Sequence, residues 1–288
     1  MNAGEERFDR NIRLFGPDGQ ARLRNTHAVI VGTGGLGSPS VQHLALLGVG
    51  AITTIDDEDL EESNRNRFVG ARASDPVPGS AKVDLACRLA SEIDPSIRAT
   101  PIKAGLVSSA AFQAIQAGDF IFGCFDHDGP RALLNELCQA YAKPYIDLAS
   151  DVPEPGAYGG RVFVSIGGGG CLSCFGVLDP QQVQSYFAGE EEAQRRDDAY
   201  GIDKTLLDEK GPSVSPVNGV VASLGAVEFM AAVTGLRTPK RHLTYRADQG
   251  RVGNVNDSPK ANCYYCRVQY GRREAADVEH YLREKHLR

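Results

Sequence analysis

Three groups of residues have the types and spacing to do chemistry. The first is the run Gly32-Thr-Gly34-Gly35-Leu-Gly37, which follows an apolar stretch, His27–Val31, and precedes a helical pattern. In that context glycines let the backbone approach a phosphate, and the helix amino end supplies N–H donors. Asp56 closes the next apolar stretch, 19 residues after Gly37. An acid at such a place accepts hydrogen bonds from ribose hydroxyls. The pair predicts a nucleotide site. A strand–helix turn with no ligand fits the glycines less well, and the glycines alone do not separate ATP from NAD.

The second group surrounds the first. Ser63-Asn64-Arg65-Asn66-Arg67-Phe68 lies just beyond Asp56. A guanidinium fork pairs with phosphate oxygens in a bidentate way, although a polar capped loop has the same composition. Lys82 opens a helix after the turn Pro76–Ser80. A lysine there opposes the helix dipole, which hints at a ligand phosphate, although a solvated lysine fits the same position. Asp126 follows the apolar run Phe120–Cys124. Ligands bind beyond the carboxyl ends of parallel strands, so this carboxylate could hold Mg²⁺ between phosphates or only cap the next helix. Arg7-Phe8-Asp9-Arg10-Asn11 reads as an amphipathic helix with a charged face.

The third group is the most specific. Cys171 with Cys174 and Cys263 with Cys266 form two Cys-x-x-Cys pairs, matching a four-thiolate zinc site. Four cysteines leave no open coordination position, so the zinc is expected to be structural and to staple the C-terminal segment to the body. A redox role fits one such pair better than two. Cys87, Cys124 and Cys138 lie in core-like segments and read as small buried hydrophobes.

The elements that must position these groups alternate. Strands are expected at His27–Val31, Ala51–Ile55, Ile97–Ile102, Phe120–Cys124 and Pro144–Leu148. Helices are expected at Ser40–Leu47, Lys82–Ile93, Ala110–Ala117 and Arg131–Tyr141. Such alternation implies a parallel sheet with helices on both faces. Beyond residue 150 come a strand at Gly159–Ile166 without an obvious partner, a long loop over 176–212 with the charge run Glu190–Asp198, an apolar helix at Val217–Thr234, and a hairpin of His242–Arg246 with Arg251–Asn256. We expect one α/β domain over 1–288: a nucleotide-binding half at 26–150, a zinc-stapled, mixed or antiparallel half at 151–271, and a charged helix or frayed tail at 272–288.

Composition narrows the class. Of 288 residues, 42% are hydrophobic and 24% charged, which excludes disorder throughout. The net charge of −6, from 31 basic and 37 acidic residues, argues against a nucleic-acid partner. No apolar run approaches the roughly 20 residues of a membrane span, and Val217–Thr234 looks too polar and short at its ends. The charged, polar Met1–Arg10 does not read as a secretory signal. Cysteine usage without a disulfide pattern agrees with a cytoplasmic location.

The ordered set Arg-Phe-Asp-Arg, GTGGLGS, Asp56, SNRNR, Lys82, Asp126, Cys-x-x-Cys, apolar helix, Cys-x-x-Cys resembles the ThiF/MoeB/HesA family of ubiquitin-activating-enzyme-like adenylyltransferases, from Arg7 to Cys266. The resemblance implies a Rossmann-like sheet and ATP-dependent adenylation of the C-terminal carboxylate of a protein or peptide, with release of pyrophosphate. The leading substrate is a ubiquitin-like or sulfur-carrier protein ending in Gly-Gly. It implies ATP on Gly34 and Gly35, ribose on Asp56, nucleotide contacts from Ser63, Asn64 and Arg67, phosphate on Lys82 and Mg²⁺ on Asp126. Arg10 matches the residue that reaches into a partner's site in family dimers, which implies a homodimer.

Two departures matter. Thioester-forming relatives use a cysteine after the first Cys-x-x-Cys, and residues 175–262 contain none. The acyl group is therefore expected to pass directly to an acceptor: a persulfide, an amine, or the cysteine of a separate conjugating protein. The usual Thr-Asp-Asn is here Phe125-Asp126-His127; His127 contacts nucleotide or is a surface residue at a helix start. Partner contacts are expected from Tyr158–Val162 and the 176–212 loop. The rival readings are an NAD-dependent oxidoreductase, which leaves Arg10, Arg67 and Lys82 unexplained, an inactive scaffold for a ubiquitin-like protein, and a family enzyme acting on a small molecule, peptide or tRNA base.

Overall fold

The computed structural model describes residues 6–154, 156–188 and 213–287. The charge run Glu190–Asp198 and most of the 176–212 loop lie outside the described residues. The elements are α1 (Asp9–Arg24), β1 (His27–Val31), α2 (Gly37–Leu47), β2 (Ala51–Ile55), α3 (Lys82–Ile93), β3 (Arg98–Ile102), α4 (Ser109–Ala117), β4 (Phe120–Gly123), α5 (Asp128–Ala140), β5 (Tyr145–Glu154) and β6 (Ala157–Ser165). They continue with α6 (180–188), α7 (Ser215–Thr234), β7 (His242–Arg246) and β8 (Arg251–Asn254).

All the strands among the described residues join one sheet of eight in the order β3-β2-β1-β4-β5-β6-β7-β8. From β3 to β5 the pairing is parallel, and from β5 to β8 it is antiparallel. The strand expected at Gly159–Ile166 thus has two partners. β6 runs back along β5, with Ile146 opposite Val164, and takes β7 on its other edge, with Val162 opposite Leu243. The β7–β8 hairpin is as the spacing predicts.

The alternation of β1 sorts its side chains to two cores. Ala28 and Ile30 join Val41, Leu44, Phe122, Val221 and Phe229 on the face of α2 and α7. Val29 and Val31 join Phe112, Leu133, Leu137 and Tyr145 on the face of α4 and α5. Sheet order reverses between β1 and β4, because the chain leaves β3 and returns on the far side of β1. That reversal opens a crevice at the carboxyl ends of β1 and β4, where α/β sheets bind ligands.

α7 is the apolar helix that the sequence predicts, begun two residues earlier. It is long enough and apolar enough to pass for a membrane span, with a mean hydropathy of 1.5. The fold gives it a different role: it packs against α1, α2, β5 and β6, half buried. Its single charge, Glu228, is buried and held by two Arg237 nitrogens at 2.6 and 2.7 Å and by the Lys240 N–H at 2.7 Å. A carboxylate so fully paired is tolerated in a core.

The tail is neither a regular helix nor frayed through 287. It forms short 3-10 turns that return to the body. Val278 and Leu287 are buried in the α4/α5 core, and the Tyr281 hydroxyl donates to Glu136 Oε2 at 2.8 Å.

Candidate active site

The glycine loop leaves β1 and enters α2 at the crevice. A Cβ on Gly37 would overlap the Gly32 carbonyl, so only glycine closes this turn. Ser38 donates its N–H and hydroxyl to the Gly34 carbonyl at 3.0 and 2.9 Å. The outer side of Gly34 faces open space, leaving room for a phosphate.

Asp56, at the end of β2, is fixed by the backbone. Its Oδ2 accepts the Thr33 N–H at 2.7 Å, and its Oδ1 accepts the Glu58 N–H at 2.9 Å. Burial raises its pKa above the usual carboxylate range, while these two N–H groups and Lys82 pull the other way. A carboxylate held in this way is a ready acceptor for hydroxyl donors. Lys82 is 5% exposed, and its ammonium pairs with Glu58. The first turn of α3 therefore sends this cation back toward the β2 end, beside Asp56.

The Ser63–Phe68 segment divides its work. Asn64 is buried and its Oδ1 accepts the Glu61 N–H at 3.1 Å, closing a capping box on a short turn. Arg65 braces the following loop by donating to the Asp75 carbonyl at 2.8 Å. Ser63 is exposed and donates to Glu61 Oε2 at 3.1 Å. Arg67 is the member that meets the glycine loop: a Cβ on Gly35 would lie 3.1 Å from Arg67 Cδ. Its Nη1 donates to the Ser63 carbonyl at 2.6 Å.

Asp126 and His127 are exposed beyond β4. His127 Nδ1 accepts the Gly129 N–H at 3.1 Å and so caps α5, which leaves its Nε2 side outside that bond. Gly34, Gly35, Asp56, Arg67, Lys82 and Asp126 therefore surround one crevice. Arg10 does not join them. Its neighbour Arg7 pairs with Asp94 at 3.1 Å, at the carboxyl end of α3. Helices between parallel strands run back along the sheet, so Arg10 sits at the opposite, amino-terminal edge.

The four cysteines of the two pairs are all buried, with their sulfurs within 4.8 Å of one another. Cys171 Sγ lies 3.7 Å from Cys263 Sγ, and Cys266 Sγ lies 3.9 Å from Cys174 Sγ. A tetrahedron with Zn–S bonds of about 2.3 Å has S···S edges of roughly 3.8 Å. A disulfide needs about 2.05 Å. The donor set fits zinc and ties the segment after β8 to the turn after β6.

The ThiF family profile matches residues 8–268. This chain belongs to the ThiF family. It is 32% identical over 222 residues to the adenylyltransferase and sulfurtransferase UBA4 of Yarrowia lipolytica, covering 77% of this chain and 49% of that protein. It is 28% identical over 243 residues to the sulfur carrier protein ThiS adenylyltransferase of Escherichia coli, covering 82% and 84%. Among solved structures, Escherichia coli MccB with MccA-N7isoASN matches with a TM-score of 0.73 and 21% identity, over 92% of this chain and 75% of that one. The chain spans about half the length of several curated relatives it matches. Membership agrees with the eight-stranded sheet, parallel at one end and antiparallel at the other.

The ThiF-family site also rests on residues that sequence reasoning did not single out. Arg131, 3% exposed, donates to Asp147 Oδ2 at 3.1 Å and to the Phe125 carbonyl, the residue before Asp126. Tyr145 donates to Asp147 Oδ1 at 2.8 Å. Asp128 Oδ2 accepts the Asp179 N–H at 2.7 Å and its Oδ1 pairs with Arg161 at 3.3 Å. This buried network sets the backbone that carries Asp126. An acid inside an apolar strand, Tyr145-Ile-Asp147-Leu, was the one available signal.

Cys87, Cys124 and Cys138 are buried, as their settings predict. Burial pushes the Cys124 thiol, near Asp126, up to about 12. A thiol with that pKa is a poor nucleophile.

Proposed function

We propose that this ThiF-family chain uses ATP to adenylate the C-terminal carboxylate of a ubiquitin-like or sulfur-carrier protein ending in Gly-Gly. The observation that carries the reading is the convergence of Gly34, Gly35, Asp56, Arg67, Lys82 and Asp126 at the β1/β4 reversal. The names of the relatives UBA4 and ThiS adenylyltransferase support it.

The chemistry follows from the layout. Asp56 receives the ribose hydroxyls. The glycine loop and the amino end of α2 receive the phosphates. A carboxylate oxygen of the tail attacks the α-phosphorus, the bond to the bridging oxygen breaks, and pyrophosphate leaves with that electron pair. No proton moves, so the chain's task is positioning and charge neutralisation. Arg67 and Lys82 supply positive charge from two sides. The exposed Asp126 carboxylate is the oxygen ligand that suits Mg²⁺, which when bound offsets phosphate charge. Ser63 and His127 lie at the rim and complete the nucleotide contacts, with Asn64 shaping the turn beneath them.

Zinc at Cys171, Cys174, Cys263 and Cys266 is structural. The acyl group then passes from the adenylate to a persulfide, an amine or the cysteine of a separate conjugating protein, with AMP as the leaving group and without a thioester on this chain. Arg67 and Lys82, which suit a third phosphate, favour ATP over NAD. The intact set of charged residues favours turnover over an inactive scaffold. The protein acts in the cytoplasm as a homodimer, in which Arg10 from one chain completes the partner's site. The apolar side of α7 suits such a contact. His43 and Ser223 join α2 to α7 at 3.0 Å, and one turn further along lie Leu46, 56% exposed, and Val227, 42% exposed.

Incubation with ATP, Mg²⁺, hydroxylamine and a Gly-Gly-tailed ubiquitin-like protein tests the reaction. A hydroxamate at the tail with matching AMP release is expected. AMP formation without modified tail, or neither product, contradicts it.

A further inference from the structure

A residue on α7 stands in the same crevice and has no role in the reaction as derived so far. Asn218 lies four residues into the α7 region that begins at Val214, and is 1% exposed. Its carboxamide fills the space a side chain on Gly35 would need, on the same side as Arg67. Its Nδ2 donates to Ser213 Oγ at 2.9 Å. Its Oδ1 is buried and has no hydrogen-bond partner among the described residues. A buried acceptor left in that state costs about 1–3 kcal/mol, so an N–H or O–H that reaches it gains correspondingly.

The sheet order indicates which donor that is. Asp56 at β2 takes the ribose, the loop after β1 takes the phosphates, and Asp126 follows β4. α7 stands on the other side of the phosphates from the ribose, against β5 and β6. Gly160 of β6 packs on Val221, one turn along α7 from Asn218. The acyl donor must therefore arrive over β5, β6 and the amino end of α7. Phosphate and carboxylate oxygens only accept hydrogen bonds and cannot satisfy Oδ1. The first donor along an extended tail, counted back from the reacting carboxylate, is the peptide N–H of its last residue.

We propose that Asn218 Oδ1 accepts the N–H of the tail's last residue, and so holds the carboxylate over Gly35 in line with the α-phosphorus. The inference rests on the adenylation reading above. It makes Asn218 a tail-binding residue that selects an unsubstituted peptide N–H at the final position, and rejects a C-terminal proline or ester.

The test pairs a variant with a backbone-altered tail. Two synthetic peptides are compared in ATP–pyrophosphate exchange, one ending in Gly-Gly and one in Gly-glycolate, whose ester oxygen replaces the last N–H. Each is assayed with the unaltered enzyme and with Asn218→Leu, which keeps the volume and removes the acceptor; Asn218→Ala serves if the leucine variant fails to fold. In the unaltered enzyme the ester should lower kcat/KM about tenfold, the effect of one lost hydrogen bond of ~1.4 kcal/mol. In the variant the two tails should react within about twofold of each other, with the KM for ATP unchanged. An ester penalty of equal size in both proteins, or none in the unaltered enzyme, overturns the role of Asn218 while leaving adenylation standing. Absence of exchange with either tail overturns the adenylation reading and this proposal together.

Discussion

The two ends of the sheet are built on different principles. The parallel end, β3 to β5, alternates strand and helix, and each crossover buries its own helix against its own strands. In the antiparallel end, β6 pairs with β7 from far along the sequence, and the segment after β8 brings two cysteines to a buried cluster of four sulfurs. The parallel end carries the proposed nucleotide groups between two buried apolar clusters, one of which extends to Val162, Val164 and Leu243 of the antiparallel end. The C-terminal segment adds Val278, Leu287 and the Tyr281–Glu136 bond to the α4/α5 core, and its two cysteines complete a buried cluster of four sulfurs suited to zinc. The comparison teaches that one fold can separate its chemistry from its staple, so that each can be broken without the other.

Removing the staple should have the largest effect. Structural zinc sites contribute folding energy outright, so Cys263→Ser or chelation should cost several kcal/mol. Hydrogen exchange should show residues 260–287 losing protection first, while amides of β1 and β4 stay protected. Simultaneous loss at both ends would erase the distinction drawn here.

Breaking the buried network is expected next. Arg131→Leu leaves Asp147, 0% exposed, with only the more distant Arg161 cation at 3.9 Å. Removing one partner of a buried pair typically costs about 3–5 kcal/mol. Urea unfolding measures it, and a cost under 1 kcal/mol would mean that Tyr145 and Arg161 suffice.

Lys82→Ala should divide the two ends more sharply. Its partner Glu58 is 56% exposed and needs no compensation. The melting temperature should stay within a few degrees while pyrophosphate exchange falls at least ~100-fold, about 3 kcal/mol of transition-state stabilisation. Mixing these chains with Arg10→Ala chains should partly restore exchange by forming one intact composite site. No recovery in verified mixed dimers would place Arg10 outside the reaction.

The smallest effect concerns acid. The Arg88 guanidinium beside Asp75 holds that carboxyl down to about 2. A carboxyl lowered on folding stabilises the fold above its unfolded pKa near 4, and that contribution fades as pH falls toward 2. Asp75→Asn should flatten the stability–pH curve in that window by about 1–2 kcal/mol. An unchanged curve would free the Ser63–Asp75 loop from this brace.

The parallel end was legible because its physics is local. The turn at Gly37 admits no side chain, apolar runs mark β1, β2 and β4, and Asp56 and Asp126 stand where such runs end. The cysteine pairs were legible because two Cys-x-x-Cys runs match the ligand spacing of a four-thiolate metal site. What escaped depends on contacts between distant segments. Nothing near Gly159 says that β6 pairs with β7. Nothing near Asn218 says that its carboxamide meets Gly35. Asn64 lies in a motif suited to phosphate, yet its side chain holds a turn, a distinction of geometry and not of composition. α7 was legible as an apolar helix, but its length and apolarity alone do not tell a core helix from a membrane span; its packing on α1, α2, β5 and β6 does.

The central claim is that the crevice at the β1/β4 reversal adenylates a carboxylate. ATP–pyrophosphate exchange with Mg²⁺ and a Gly-Gly-tailed ubiquitin-like protein tests it most directly, with Asp126→Ala beside the unaltered enzyme. The account predicts exchange that requires the intact tail and disappears in the folded variant. Exchange that persists in Asp126→Ala, or a chain that binds NADH tightly and ATP not at all, would contradict it.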